Sequence, residues 1–301
     1  MTAAMRIRQA LSGAGLNRSM LVRRLIRLGH PRLRELRARA VADRDPAALA
    51  LGVFVRWLER GVLRVPQGHA GGLGFEMRYL PLSHAHIGSI AFGNLETAVQ
   101  EALVRHLGPG DVFYDIGANL GFFSLLAAHL VGLGEGHVYA FEAAPDNARA
   151  IRENAELNSI RNVAVIDKAV SARSGTGRLQ IVDDQSWSKL EEYGEHPYTE
   201  RLIDVELVAI DDLLRAGELP PPTVVKIDVE GAEIAVLQGM RETLERHQPA
   251  VICELHGTHS DFLATMRSQG YRLINLEGPG PITEASASAH ALALPALDPG
   301  D

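Results

Sequence analysis

Residues 111–124 read DVFYDIGANLGFFS. An apolar strand pattern runs into Asp115, Gly117, Asn119 and Gly121, and an apolar helix pattern, GFFSLLAAHLVG, follows at once. A strand, a glycine-bearing turn and a helix in that order open the ligand-binding half of doubly wound α/β sheets. The same alternation continues downstream. GHVYAFE, NVAVIDKAV, TVVKIDVEG and AVICELHG read as strands, with PDNARAIRENAELNSI, AEIAVLQGMRETLERH and SDFLATMRSQG as helices around them. Repeated strand–helix units predict a mostly parallel sheet covered on both faces. YRLINL and the alternating ASASAHALALP then supply an antiparallel edge. Upstream, NLETAVQEALVRHL (94–107) is an amphipathic helix closed by the turn GPGD, and FEMRYLPL alternates like a short strand.

The turn itself is unusual for a dinucleotide site. Such sites use G-x-G-x-x-G, so that backbone amides and a helix N-terminus face a pyrophosphate. This chain has D-x-G-x-N-x-G, with its glycines four apart and an acid, Asp115, beside them. A carboxylate there repels a pyrophosphate and suits a ligand with a positive centre. S-adenosylmethionine has a sulfonium and an amino group and no phosphate. The next strand ends in Glu142, where an acid hydrogen-bonds both hydroxyls of a ribose. VIDKA ends the third strand with Asp167, placed to accept from an adenine amino group. Gly117 and Gly121 are expected to let the backbone approach the ligand, and Asn119 tolerates left-handed geometry while keeping a hydrogen-bonding side chain.

Three segments together resemble the FkbM-type family of S-adenosylmethionine-dependent methyltransferases: DVFYDIGANLGFFSLLAA, VYAFEAAPDNARAIRENAELN and VVKIDVEGAEIAVLQGM. The resemblance covers roughly residues 88–275, and VAIDDLL matches the family's Leu-Asp-like segment. Ala143 departs from it, since proline commonly follows the ribose-binding acid in the family. The resemblance implies a class I methyltransferase fold, a Rossmann-like seven-stranded, mostly parallel sheet with an antiparallel edge strand. It also implies methylation of a hydroxyl on a small molecule, natural product or sugar, with S-adenosylmethionine as cofactor.

Methylating an aliphatic hydroxyl calls for positioning and for a base or a metal. KIDVEGAE closes the fourth strand with Asp228 and Glu230, and Lys226 lies one pleat earlier, able to pair with Asp228. Asp228 is read as the base or acceptor-orienting residue and Glu230 as a cofactor or substrate contact; the structural alternative has Glu230 capping the next helix. CELHGTH ends the fifth strand with Glu254 and His256 on one face, a carboxylate-oriented histidine. Asp228, Glu254 and a histidine are also a conceivable divalent-ion set, but acids and histidines at strand ends commonly give this pattern and no metal is expected. The polar stretch 183–200 concentrates Trp187, Tyr193, His196 and Tyr198 and reads as a lid or wall over the acceptor.

Composition fits a soluble globular protein with a sizeable core: 301 residues, 46% hydrophobic, 22% charged, net charge −7. The charge is unevenly spread, with 13 arginines against four acids in the first 60 residues. The division expected is a basic helical extension at 1–66 and a methyltransferase domain at 67–301, whose motif core spans 94–275. The extension is a cap, a docking surface for an acidic acyl carrier protein, an interfacial helix or a solvated face. Nucleic acid is a poor partner for an acidic chain without interleaved aromatics. Cys253 is the one cysteine, inside the apolar run AVICEL, which excludes a disulfide framework and reads as a buried structural thiol. No apolar run approaches the ~20 residues of a bilayer span, and the basic start lacks a signal peptide's apolar core, so a cytoplasmic location is expected. Three rival readings stand beside the preferred one. They are an NAD-dependent oxidoreductase on a similar sheet, opposed by the missing G-x-G-x-x-G; an N-methyltransferase, opposed by the lack of an Asn/Asp-Pro-Pro-Tyr/Phe segment; and a non-catalytic scaffold.

Overall fold

The computed structural model describes residues 62–65, 75–78, 89–90, 93–182, 188–194, 196 and 199–296. Residues 1–61 of the basic extension expected at 1–66, the Gly-rich break, and Trp187 and Tyr198 of the polar stretch lie outside the described residues. Two compact units divide the chain near Leu95 and Glu96. In the first, β1 (Val62–Val65) and β2 (Phe75–Arg78) pair antiparallel, with Val65 opposite Phe75.

The second unit opens with α1 (Thr97–His106) and holds the alternating elements expected from the sequence. Strands β3 (Val112–Ile116), β4 (His137–Phe141) and β5 (Val163–Ile166) alternate with helices α2 (Phe122–Leu130) and α3 (Pro145–Leu157). An inserted segment follows: β6 (Ala169–Val170), β7 (Gly175–Val182), β8 (Lys189–Leu190) and β9 (Thr199–Val208). The chain then runs through α4 (Ile210–Arg215), β10 (Val224–Ile227), α5 (Glu233–Gly239), α6 (Arg241–His247) and β11 (Ala250–His256). It closes with α7 (His259–Ser268), β12 (Tyr271–Asn275) and β13 (Ser288–Pro295).

The main sheet has seven strands in the order β12-β13-β11-β10-β3-β4-β5. Neighbours from β11 to β5 are parallel, and β13 pairs antiparallel with both β11 and β12. This is the α/β class I architecture with its antiparallel strands at one end of the sheet. Order reverses between β3 and β10, and the crevice beyond their C-terminal ends is where such sheets bind ligands. The apolar positions explain the layering: Tyr114, Ile116, Phe141, Val225, Ile227 and Leu255 are all buried in one core cluster. Cys253 belongs to that cluster, a buried thiol whose pKa burial pushes up.

A second sheet, β6-β9-β7-β8, forms from the inserted segment. From the sequence this segment reads as a polar stretch followed by one strand, IDVELVAI; instead β7 and β9 pair antiparallel along their length, from Gly175 opposite Leu207 to Val182 opposite Thr199. Leu179, Ile181 and Leu190 bury one face of it against Ala144. The VAIDDLL segment acts as a clamp between helices. Asp211 accepts from the backbone N–H of Glu242 at 2.8 Å and of Thr243 at 2.9 Å, so an acid on α4 caps the open N-terminus of α6. Among the described residues no helix is long and apolar enough to cross a membrane.

Candidate active site

The loop after β3 is fixed by its neighbours before any ligand is considered. Gly117 and Ala118 donate their N–H groups to the Phe141 carbonyl at 3.0 and 3.1 Å, and Asp228 N–H donates to Ile116 O at 3.0 Å. Gly117 has φ +80, and a Cβ built there would lie 1.8 Å from the Asp228 carbonyl oxygen. Glycine is therefore demanded by the protein's own chain crossing, before any approach to a ligand. Gly121 (φ +81) starts α2 and packs on Ile151, where a Cβ would sit 3.1 Å from that side chain. Asn119 adopts φ +51, the left-handed geometry its residue type tolerates. Buried Asn154 on α3 holds the loop from beneath by donating to the Leu120 carbonyl at 3.0 Å.

A cavity open to solvent lies above this loop, at the carboxyl ends of β3, β4 and β10. Gly117, Asn119, Glu142, Asp228 and Glu230 line it, with Ile116, Phe141, Val170 and Leu179 as apolar wall. Ser188, Lys189 and Leu190 of the inserted segment form the facing side, so part of the polar stretch does wall the cavity. Glu142 is 9% exposed; its Oε1 accepts from Ala144 N–H and its Oε2 from Asn119 N–H, both at 2.8 Å. Burial pushes its pKa up to about 7, and those two backbone donors oppose the rise.

Two of the expected cofactor residues stand elsewhere. Asp115 does not line the cavity. Parallel register sets it beside Lys226, so both side chains leave the same face of the sheet, behind the loop. It is 1% exposed and accepts from Ser124 Oγ, while its Oδ1 has no protein partner. Burial raises its pKa, and Lys226 pulls it back. Asp167 points outward and is half-exposed; Arg152 of α3 grips it, with Nη1 3.1 Å from Oδ2, and the cavity wall is taken by Lys168, Ala169 and Val170 instead.

The far end of the cavity is rich in carboxylates. Lys226, 2% exposed, donates to Asp228 Oδ2 at 2.9 Å and lies 5.0 Å from the Phe123 ring centre. Burial works against the charged lysine, but Asp228 and Asp115 outweigh it and raise its pKa. Burial likewise works against charge on Asp228, and Lys226 prevails and lowers its pKa. The sequence placed Asp228 and Glu230 on one strand face, but β10 ends at Ile227, and Glu230 sits in the following turn at φ +52. That left-handed position is costly for a residue with a Cβ and turns its carboxyl into the cavity. Burial raises the Glu230 pKa to about 7.

Glu233, which sequence reading passed over, is the acid that ties this end together. Fully buried, it accepts from Gly231 N–H at 2.8 Å, from His256 Nδ1 at 2.9 Å and from Thr258 Oγ1 at 3.0 Å. The expected orientation of His256 by Glu254 is thus performed by Glu233 from across the crevice. His256 Nε2 then faces Glu230 Oε2 at 3.5 Å and Glu254 Oε1 at 3.6 Å. Burial disfavours its charge, but the Glu233 hydrogen bond and the surrounding carboxylates raise its pKa to about 9. Burial raises Glu254 to about 7. On its other side stands His290, bonded through Nε2 to Glu96 at 3.1 Å and through Nδ1 to Glu277 at 2.7 Å. Glu96 and His290 are 194 positions apart, and no local spacing announces their meeting.

Residues 115–273 match the model of the methyltransferase FkbM domain, more than half of the chain. The chain belongs to the FkbM family of methyltransferases. Hexuronic acid methyltransferase AglP of Haloferax volcanii is 30% identical over 200 residues, covering 66% of this chain and 78% of that one. The 31-O-demethyl-FK506 methyltransferase FkbM of Streptomyces tacrolimicus is 28% identical over 235 residues, covering 66% and 88%. The crystal structure of methyltransferase FkbM from Methylobacillus flagellatus KT overlaps at TM-score 0.42 and 17% identity, covering 62% of this chain and 43% of that one. Family membership makes the chain a methyltransferase, and the FkbM match spans both the loop at 117–121 and the carboxylate-rich end.

Proposed function

We propose that the protein is an S-adenosylmethionine-dependent O-methyltransferase acting on a hydroxyl of a sugar or other small molecule. The observation that carries this reading is one continuous cavity, with Glu142 on its wall at the tip of β4 and Asp228 and Glu230 at the end of β10. The donor set fits the cofactor: a buried acid for ribose hydroxyls, apolar walls for a base, and buried Asp115 adding negative potential behind the loop. When bound, S-adenosylmethionine supplies an electrophilic methyl group. Glu142 would accept from the ribose, and Asn119 borders the same space. Asp228, kept ionised by Lys226, is a poor base and a good acceptor, so it orients the acceptor hydroxyl. Glu230, whose pKa burial raises to about 7, lines the cavity; it holds the proton that leaves the oxygen. The names of two relatives, one acting on a hexuronic acid and one on 31-O-demethyl-FK506, support an oxygen acceptor.

Incubating the protein with methyl-labelled S-adenosylmethionine and hydroxylated sugars tests the reading directly, with label expected in a methyl ether. Glu230→Gln is expected to lower kcat by about 10²-fold or more while leaving S-adenosylhomocysteine affinity nearly unchanged. Label on nitrogen, or none on any hydroxylated acceptor, would argue against it.

Cofactor affinity should depend on pH through Glu142. The carboxylate can accept from both ribose hydroxyls, whereas the protonated acid has lost acceptor capacity. With its pKa near 7, raised by burial, affinity for S-adenosylhomocysteine is expected to rise as pH increases through that value. The gain should be roughly tenfold between about pH 6 and about pH 8, and absent in Glu142→Gln. Calorimetric titrations across this range check it.

A further inference from the structure

We propose that Asp228, Glu254 and His256 bind one divalent cation at the acceptor end of the cavity. Their ligand atoms lie within 4.8 Å of one another. His256 Nε2 stands 3.5 Å from Glu230 Oε2 and 3.6 Å from Glu254 Oε1, too far for hydrogen bonds. Ligands ~2.1 Å from a common ion are about 3.0–3.6 Å from one another; the His256–Glu254 pair stands at that spacing, with an Asp228 oxygen within 4.8 Å of both. The imidazole is also held as a ligand is held. Glu233, fully buried, accepts from Nδ1 at 2.9 Å and directs Nε2 at the carboxylates, the arrangement that fixes metal-bound histidines.

A neighbouring set, Glu96, Glu254 and His290, has similar proximity but a different state. Both ring nitrogens of His290 already make hydrogen bonds, to Glu96 and Glu277, and leave no lone pair for an ion. At the favoured set three carboxylates, Asp228, Glu230 and Glu254, surround the one His256 imidazole, with Lys226 bonded to Asp228. Two carboxylates and one imidazole, each partly solvent-accessible, suit Mg²⁺ or Mn²⁺ with positions left for water. Resting on the O-methylation reading, one such position takes the acceptor hydroxyl, whose acidity the ion increases, with Glu230 adjacent to receive the proton.

The test is titration of Mn²⁺ into the full, EDTA-washed chain, with the free aquo ion followed by electron paramagnetic resonance. One saturable Mn²⁺ per chain is expected. Affinity should fall by about tenfold or more in Glu254→Gln and in His256→Gln, and change less than about threefold in Glu277→Gln, which loosens only the neighbouring imidazole. Absence of saturable binding overturns the site, as does unchanged affinity in His256→Gln or a tenfold loss in Glu277→Gln. S-adenosylhomocysteine calorimetry on each variant reports folding, and the wild-type titration decides alone if a variant loses that binding. It also separates the two readings. Mn²⁺ binding without S-adenosylhomocysteine binding contradicts the methyl-donor cavity, and the converse contradicts the cation site.

Discussion

Gly117→Ala is expected to destabilise the protein by about 3 kcal/mol or more and to abolish cofactor binding with it. Two costs coincide. The residue sits at φ +80, where an alanine is strained, and its Cβ would lie 1.8 Å from the Asp228 carbonyl oxygen. The obstacle is backbone, and that backbone cannot step aside: Asp228 N–H is bonded to Ile116 O, which locks the end of β10 to the end of β3. Gly121→Ala is the control. Its φ is similar at +81, but its Cβ meets the Ile151 side chain at 3.1 Å, and a side chain can shift by a few tenths of an ångström. A loss of about 1 kcal/mol is expected there. Denaturant midpoints for both variants check the difference, and equal losses would show that φ alone sets the cost.

Lys226→Met is expected to cost about 3–5 kcal/mol, because it breaks a buried ion pair from one side. The ammonium is 2% exposed, bonded to Asp228 and held beside Asp115 by strand register. Without it the buried Asp115 and the partly buried Asp228 lose the cation beside them. The sign of the pH dependence follows from burial, which already raises the Asp115 pKa in the intact protein. A carboxyl that prefers its proton in the folded state loses stability as pH rises, so the deficit of Lys226→Met should shrink towards acid pH. Adding Asp115→Asn to Lys226→Met should recover part of the loss, since it removes one orphaned charge. Denaturation of the single and double variants at acid and neutral pH measures both effects.

The fold could be read from the sequence because its signals are local. Strands such as VVKI and VFYDI are apolar but for one charged residue each, close to the near-continuous apolar pattern of buried parallel strands, and helices separate them. Glu142 and Asp228 were legible for the same reason: an acid at a strand's carboxyl end reaches the crevice. What sequence reading missed depends on parity and on long-range pairing. Asp115 and Ile116 are adjacent on one strand, so only one of them can face the cavity, and Ile116 does. Asp167 is drawn away by Arg152 on a helix that spacing cannot position. Glu233 looked like an ordinary first-turn helix acid, yet it joins Gly231, His256 and Thr258. The second sheet was hidden because β7 is interrupted by glycines and its partner β9 alternates charged residues along a largely exposed face.

The proposed methyl-donor site beside Glu142 can be tested by binding alone. Calorimetric titration of the full chain with S-adenosylhomocysteine, with NAD⁺ in parallel, tests it most directly. One S-adenosylhomocysteine per chain is expected, with affinity reduced by about tenfold or more in Glu142→Ala and no binding of NAD⁺. Saturable NAD⁺ binding without S-adenosylhomocysteine binding, or an affinity indifferent to Glu142→Ala, would contradict it.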